Sequence, residues 1–408
     1  MSDAIHGHAD VGYERVVNAF ARVWSAGVLG GGALAIYDRG VPVVDVWCGS
    51  RDDRGELPWT ESTSSVIYSA SKGLTSLVIH RLADRGLVDY DAPVAEYWPE
   101  FAAAGKSSVT VREVLSHTAG LSQVRRISAT ADDALDFQLM QRRLAAVDRD
   151  GLTGKPAYHA LTIGWLMAGI AHAVTGKDMR ALYQDELCSP LGIAELSLGR
   201  PQSDTGVVAD YVDPVGTFTA ICRDRVLARG ARMPTLLGGA LTGSIYAGPG
   251  AGPSFIAPEK HLMDTQMPAA NAVSTARALG TVYAALTTDG TVGDRRLLSA
   301  PRVRMLSGPR RLEFDRVLGL PMSWNLGFHR SPIPGLASGF GHVGASGCFG
   351  WADPTSGLSI GFVHNRLPST LVADLGAFLW LVPLALRAQR SAARQAPASP
   401  PMTNRIAG

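Results

Sequence analysis

Near the N-terminus apolar residues recur at helical spacing, at Val16, Val17, Phe20, Val23 and Trp24, which predicts an amphipathic helix over residues 11–25. The pattern then becomes extended. Residues 33–37 and 42–47 read as strands, and Asp38-Arg39-Gly40 between them is a hairpin signal. Toward the other end, 342–352 and 358–364 read as two more strands around the turn Pro354-Thr355-Ser356-Gly357, with an apolar helix over 371–386 after them.

Between these strand-rich ends the periodicity is helical. Leu74, Leu77, Val78, Ile79 and Leu82 form an apolar stripe closed by Gly86 as the C′ residue. Thr110-Val111-Arg112-Glu113 is a capping box, and Ile163, Leu166, Met167, Ile170 and Val174 line a further helix ended by Gly176. Residues 232–258, rich in Gly, Pro and small apolar side chains, predict a long irregular loop. Residues 391–408, rich in Ala, Pro, Ser and Arg, predict a disordered tail. The expectation is an α/β fold of α+β type. One antiparallel sheet, flanked by helices, is built from 1–73 and 271–390, with a mostly helical domain over 74–270 and a cleft between them.

A chain of 408 residues, 46% hydrophobic and 18% charged, holds a large core. Its formal net charge of +2 gives no reason to expect nucleic acid as a partner. Cys48, Cys188, Cys222 and Cys348 lie far apart and make no metal-ligand or redox spacing, so neither a metal nor a cofactor is expected. The apolar stretch 371–386 is short for a membrane span and contains Asp374, Gly376 and Pro383, so no integral membrane segment is expected. The first residues carry no apolar secretory core, and a cytoplasmic setting follows as an expectation. A homo-oligomer is left open.

The candidate chemistry centres on Ser69-Ala70-Ser71-Lys72. Residues three apart share a helix face, so the Ser69 hydroxyl and Lys72 amine can touch. A desolvated lysine of depressed pKa can then take the serine proton, and the helix N-terminal amides favour a developing oxyanion. Chance supplies roughly one Ser-x-x-Lys in a chain of this size. Here, however, the chain has only five lysines, and only Lys72 has a serine three residues earlier.

This tetrad, the run Leu115-Ser116-His117-Thr118-Ala119-Gly120-Leu121, Tyr158-His159-Ala160 and Gly341-His342-Val343-Gly344-Ala345-Ser346-Gly347 together resemble class C serine β-lactamases, penicillin-binding proteins and family VIII carboxylesterases. The resemblance covers about residues 30–364 and implies a β-lactamase-like fold and a Ser-Lys-Tyr centre of Ser69, Lys72 and Tyr158. It places the amides of Ser69 and Ala345 in an oxyanion hole, with His342 and Gly344 toward the substrate. Phe349 and Trp351 beyond that motif, with the small apolar run 238–258, suggest a substrate cleft suited to a neutral acyl group. The chain departs from the family in lacking both Tyr-x-Asn and Lys-Thr-Gly. Loss of a cationic anchor for a substrate carboxylate argues for ester chemistry on a small-molecule substrate with a short to medium acyl group. Acyl transfer, weak β-lactamase or D-amino-acid peptidase activity, and a catalytically silent ligand-binding homologue remain the alternatives. Two decoys stand outside this reading. Ser359 fits Gly-x-Ser-x-Gly but lies in an alternating strand rather than at a strand-to-helix elbow. His117 belongs to a structural run.

Overall fold

A computed structural model of the chain describes residues 5–24, 29–202, 206–212, 260–331, 333, 335, 338–366 and 376–395. Its main sheet consists of β1 (His6–Ala9), β2 (Gly31–Asp38), β3 (Val41–Gly49), β4 (Trp324–Asn325), β5 (Phe328–His329), β6 (Phe340–Val343), β7 (Phe349–Asp353) and β8 (Leu358–His364). The spatial order is β1-β3-β2-β8-β7-β6-β5-β4, antiparallel throughout. The two ends of the chain therefore meet at β2 and β8, where Leu34 faces Phe362 and Ile36 faces Ile360. At the predicted hairpin Arg39 and Gly40 both take positive φ (48° and 81°), the I′ turn that matches strand twist.

The helices that frame the site are α1 (Glu14–Val23), α2 (Ser71–Asp84), α3 (Val111–Leu115), α4 (Thr162–Thr175), α5 (Ala276–Ala285) and α6 (Gly376–Gln395). Alternation along β2 sends Leu34 and Ile36 to one face, where Val16 and Phe20 of α1 and Phe378, Leu381 and Val382 of α6 cover them. Ala33, Ala35 and Tyr37 point the other way, into a core shared with Val78, Leu82, Trp165 and Leu166 of the helical part. The sheet and the inserted helices thus enclose one continuous apolar core. Thr110 and Glu113 cap α3 reciprocally, as the sequence predicts.

Four expectations are corrected. Residues 342–352 are two strands, because Gly347, at φ 96°, turns the chain and its amide donates to the Gly344 carbonyl at 2.9 Å. The apolar stripe predicted for α2 understates its burial, since the helix is buried on nearly every side. Its polar residues are satisfied by distant groups: Thr75 donates to the Pro268 carbonyl (2.7 Å), and His80 bonds Tyr90 (2.7 Å) and the Leu326 carbonyl (2.9 Å). It ends in a Schellman motif, with Gly86 and Leu87 amides donating to Ala83 and Leu82 carbonyls. Helix α6 runs to Gln395, into the predicted tail, since Ala392 packs on the core and alanine favours helix. The predicted loop 232–258, residues 371–375 and residues 396–408 lie outside the described residues. The fourth correction concerns the site.

Among the described residues no helix is long and apolar enough to cross a membrane. Cys48, Cys188 and Cys348 are buried thiols, and Cys222 lies outside the described residues.

Candidate active site

Ser69 sits in a 3₁₀ turn, Tyr68–Ala70, that runs straight into α2. The preceding segment is fixed by a small sheet in which Ser65 and Val66 pair with Ser274 and Val273, and the Ile67 amide donates to the Ala272 carbonyl at 2.9 Å. Tyr68 carries φ 47°, a left-handed conformation costly for a bulky residue, at the step that presents Ser69. Gly344 explains the approach from the sheet side. A Cβ there would lie 2.3 Å from the Ile67 carbonyl oxygen, so only glycine lets the β6–β7 turn lie against the serine segment. Gly344 thus acts through packing. The next residue, Ala345, is exposed.

Lys72 is fully buried, and its Nζ lies 2.9 Å from the Ser69 hydroxyl and donates to the Ala269 carbonyl, also at 2.9 Å. That carbonyl is held by its neighbours, since Thr75 donates to Pro268 and the Ala272 amide donates to the Ser71 hydroxyl at 3.0 Å. Burial pushes the Lys72 ammonium well below the ordinary lysine value. Its place in the first turn of α2 adds to this, because the helix N-terminus repels a cation. No carboxylate offsets either effect among the causes acting on Lys72, so its neutral form is favoured more than in an exposed lysine.

Tyr158 completes the group. Its phenol interacts with the Ser69 hydroxyl, and Lys72 Nζ lies 5.1 Å from its ring centre. Burial raises the phenol pKa; the Ser69 bond opposes this and the charge of Asp315 adds to it. Of the two groups beside the serine hydroxyl, the amine is thus the better proton acceptor and the phenol the better donor.

Behind Tyr158 lies an aromatic cluster. Trp324 stacks on it, with ring centres 5.2 Å apart and 7° from parallel, and His117 approaches at 5.1 Å. His342 is buried 6.3 Å from Tyr158 and 5.2 Å from His329. Its Nδ1 bonds the Val343 carbonyl at 3.0 Å, and burial holds the ring neutral, so it offers no positive charge to a carboxylate.

The fourth correction follows from register. His342 pairs with Gly350, so those two residues share the face of the sheet that packs against α2 and α5, and Phe349 and Trp351 point to the other. There they are fully buried against Phe362 and Phe378 and cannot touch substrate. Ser359 is likewise structural, buried in β8 with its hydroxyl on the Gly280 carbonyl at 3.2 Å. Asp315, Trp324 and the Ala269 carbonyl are the site groups that sequence reading missed. No local pattern marks them, because each reaches the site from more than 150 residues along the chain. Among the described residues no group of His, Cys, Asp and Glu could hold a metal ion.

Comparison with known proteins identifies the family. The chain matches the family described as Beta-lactamase over residues 16–382. It is 45% identical over 397 residues to the esterase/beta-lactamase LipL of Mycobacterium tuberculosis, covering 96% of this chain and 90% of that protein. A family VIII carboxylesterase structure superposes with a TM-score of 0.79 at 30% identity, covering 96% of this chain and 99% of that one. A penicillin-binding protein homologue from Caulobacter crescentus gives a TM-score of 0.79 at 28% identity, with coverage of 96% and 99%.

Proposed function

From the premise that the chain belongs to the beta-lactamase family, we propose that it is a serine carboxylesterase that cleaves short to medium acyl esters through an acyl-enzyme on Ser69. The observation that carries the reading is the Ser69 hydroxyl bonded by the buried Lys72 amine at 2.9 Å, with the Tyr158 phenol beside it. Ser69 Oγ attacks the ester carbonyl carbon while its proton passes to the Lys72 amine. The oxyanion forms at the N-terminus of α2, where the amides of Ser69 and Ala345 receive it. Collapse expels the alcohol, which takes its proton from the Tyr158–Lys72 pair. Water then attacks the acyl carbonyl, gives its proton to Lys72, and the acid leaves as Ser69 regains a proton. No metal or organic cofactor enters these steps.

The missing Tyr-x-Asn and Lys-Thr-Gly residues support esters over β-lactams, and the neutrality of His342 removes the side chain best placed to substitute for the lost lysine. Buried thiols fit a reducing, cytoplasmic setting. The sheet part (1–73 and 271–390) and the helical part (74–270) are the two domains in this reading, meeting at the cleft.

Ser69→Ala is the test. Hydrolysis of p-nitrophenyl butyrate should fall by about 10⁴-fold or more, and a fluorophosphonate adduct should map to the Ser69 peptide. Unchanged hydrolysis, or an adduct on Ser359, would overturn the mechanism. Failure to label at all would favour a silent ligand-binding protein. Products formed with competing alcohols divide hydrolysis from acyl transfer.

A further inference from the structure

One buried carboxylate near the site has no part in the chemistry above. Asp315 has no exposed surface, and it follows the short strand Glu313–Phe314. One of its oxygens accepts the amides of Tyr158 (3.2 Å), Val317 (2.9 Å) and Leu318 (2.9 Å). The other accepts the indole N–H of Trp324 at 2.8 Å. All four donors are uncharged N–H groups, and burying an ionised carboxylate on such donors alone is costly. The next residue adds a second tie, since the Arg316 amide donates to the Pro156 carbonyl at 2.9 Å.

These contacts converge on one object. Asp315 grips the backbone of Tyr158 from one side and the ring that stacks on Tyr158 from the other. A phenol has two side-chain torsions to fix before its hydroxyl stays on Ser69. The backbone bond fixes the origin of the side chain, and the oriented indole plane, 7° from the phenol plane, fixes the ring.

We infer that Asp315 is the positioning residue of this site: its carboxylate locks Tyr158 and Trp324 into one rigid unit that holds the phenol hydroxyl on Ser69. It touches no substrate and acts through Tyr158. The inference rests on the esterase reading of Ser69, Lys72 and Tyr158. Burial is the main force that raises the phenol pKa, and the Asp315 charge adds to it in the same direction.

The test measures kcat and KM for p-nitrophenyl butyrate in the full-length wild type, Ser69→Ala, Asp315→Asn and Trp324→Phe, with the last two repeated in a Tyr158→Phe background. Asparagine keeps an oxygen for the backbone amides but turns an NH₂ toward the indole N–H, so the Trp324 bond is lost. Trp324→Phe keeps the stack and removes only the N–H. Asp315→Asn should lower kcat about 30-fold, and Trp324→Phe about fivefold, with KM within about twofold. In the Tyr158→Phe background neither should lower kcat by more than about twofold, because the group they act through is gone. Unchanged kcat in either variant, a loss carried in KM, or the same loss in the Tyr158→Phe background overturns the role. If Asp315→Asn does not fold, as read by circular dichroism, the Trp324→Phe pair decides alone. Ser69→Ala separates the two readings. Full activity there sinks the esterase reading, whereas an inactive Ser69→Ala beside unaffected Asp315→Asn and Trp324→Phe sinks the positioning role only.

Discussion

The two faces of the central sheet are built from the same strands by opposite rules. On the face covered by α1 and α6, Leu34, Ile36, Phe349, Trp351, Ile360 and Phe362 fill the space with large apolar side chains. On the other, the same strands carry Ala33, Ala35 and Gly350 beside His342. Bulk on one side secures the sheet. Small residues on the other let helices, and with them Ser69, Lys72 and Tyr158, come close. The lesson is that stability and chemistry are separated by the period of two along a strand, so neighbouring residues should fail in different ways when changed.

The largest expected effect is on the cleft side. Lys72→Met, which fills the same space without a base, should lower kcat/KM for p-nitrophenyl butyrate by about 10³-fold or more, while the thermal midpoint does not fall. A loss of folded protein in place of a loss of rate would blur the division between faces. On the opposite face Phe378→Ala should destabilise the protein by about 3–5 kcal/mol in a urea titration, through the cavity left against Phe349 and Trp351, with kcat per folded molecule unchanged. Trp351→Phe is a finer probe, because it removes the indole bond to the Ser338 carbonyl, 2.9 Å long. It should cost about 1–2 kcal/mol and leave KM within about twofold. A KM that rose strongly would return Trp351 to the substrate cleft.

Acid sharpens the contrast further. Burial lowers the pKa of His329 and His364 to about 4. Their folded values lie below the unfolded one near 6.5, so the unfolded chain binds more protons as pH falls. Stability is intact above about pH 6.5 and is lost toward pH 4, at up to about 1.4 kcal/mol per pH unit for each group. Lys72 shows the same sign higher on the scale, where its folded value lies well below 10.5. Between neutral pH and about pH 10 the wild type should gain stability relative to Lys72→Met, as measured by urea titrations across that range. A flat difference would mean that Lys72 stays charged in the folded protein. The smallest effect belongs to Ser359→Ala, which loses one hydrogen bond to Gly280 and should cost about 1 kcal/mol without altering hydrolysis.

The parts of the molecule legible in the sequence are those written locally. The hairpin at Arg39-Gly40, the capping box at Thr110 and the Ser-x-x-Lys spacing each lie within a few residues, and each has its expected geometry. Phe349 and Trp351 were misread because a strand's two faces look alike until its partner is known, and only the pairing of His342 with Gly350 tells them apart. The true surroundings of α2 were hidden for a related reason. Thr75, Ser76 and His80 lie outside the apolar stripe, yet Pro268, Met167 and Leu326 satisfy them from afar. Asp315 was silent altogether, since its partner Tyr158 lies 157 residues away.

Helix α2, buried around nearly its whole circumference, ties the nucleophile to the deepest part of the molecule. Its backbone amides should exchange with deuterium only through global opening, making this segment one of the last to lose protection. Inactivation by denaturant should accordingly coincide with unfolding instead of preceding it, as it would for an enzyme whose nucleophile rides on a surface loop. Changes of substrate range then have to come from the chain around the site, because most side chains of the helix that presents the serine are packed into the core.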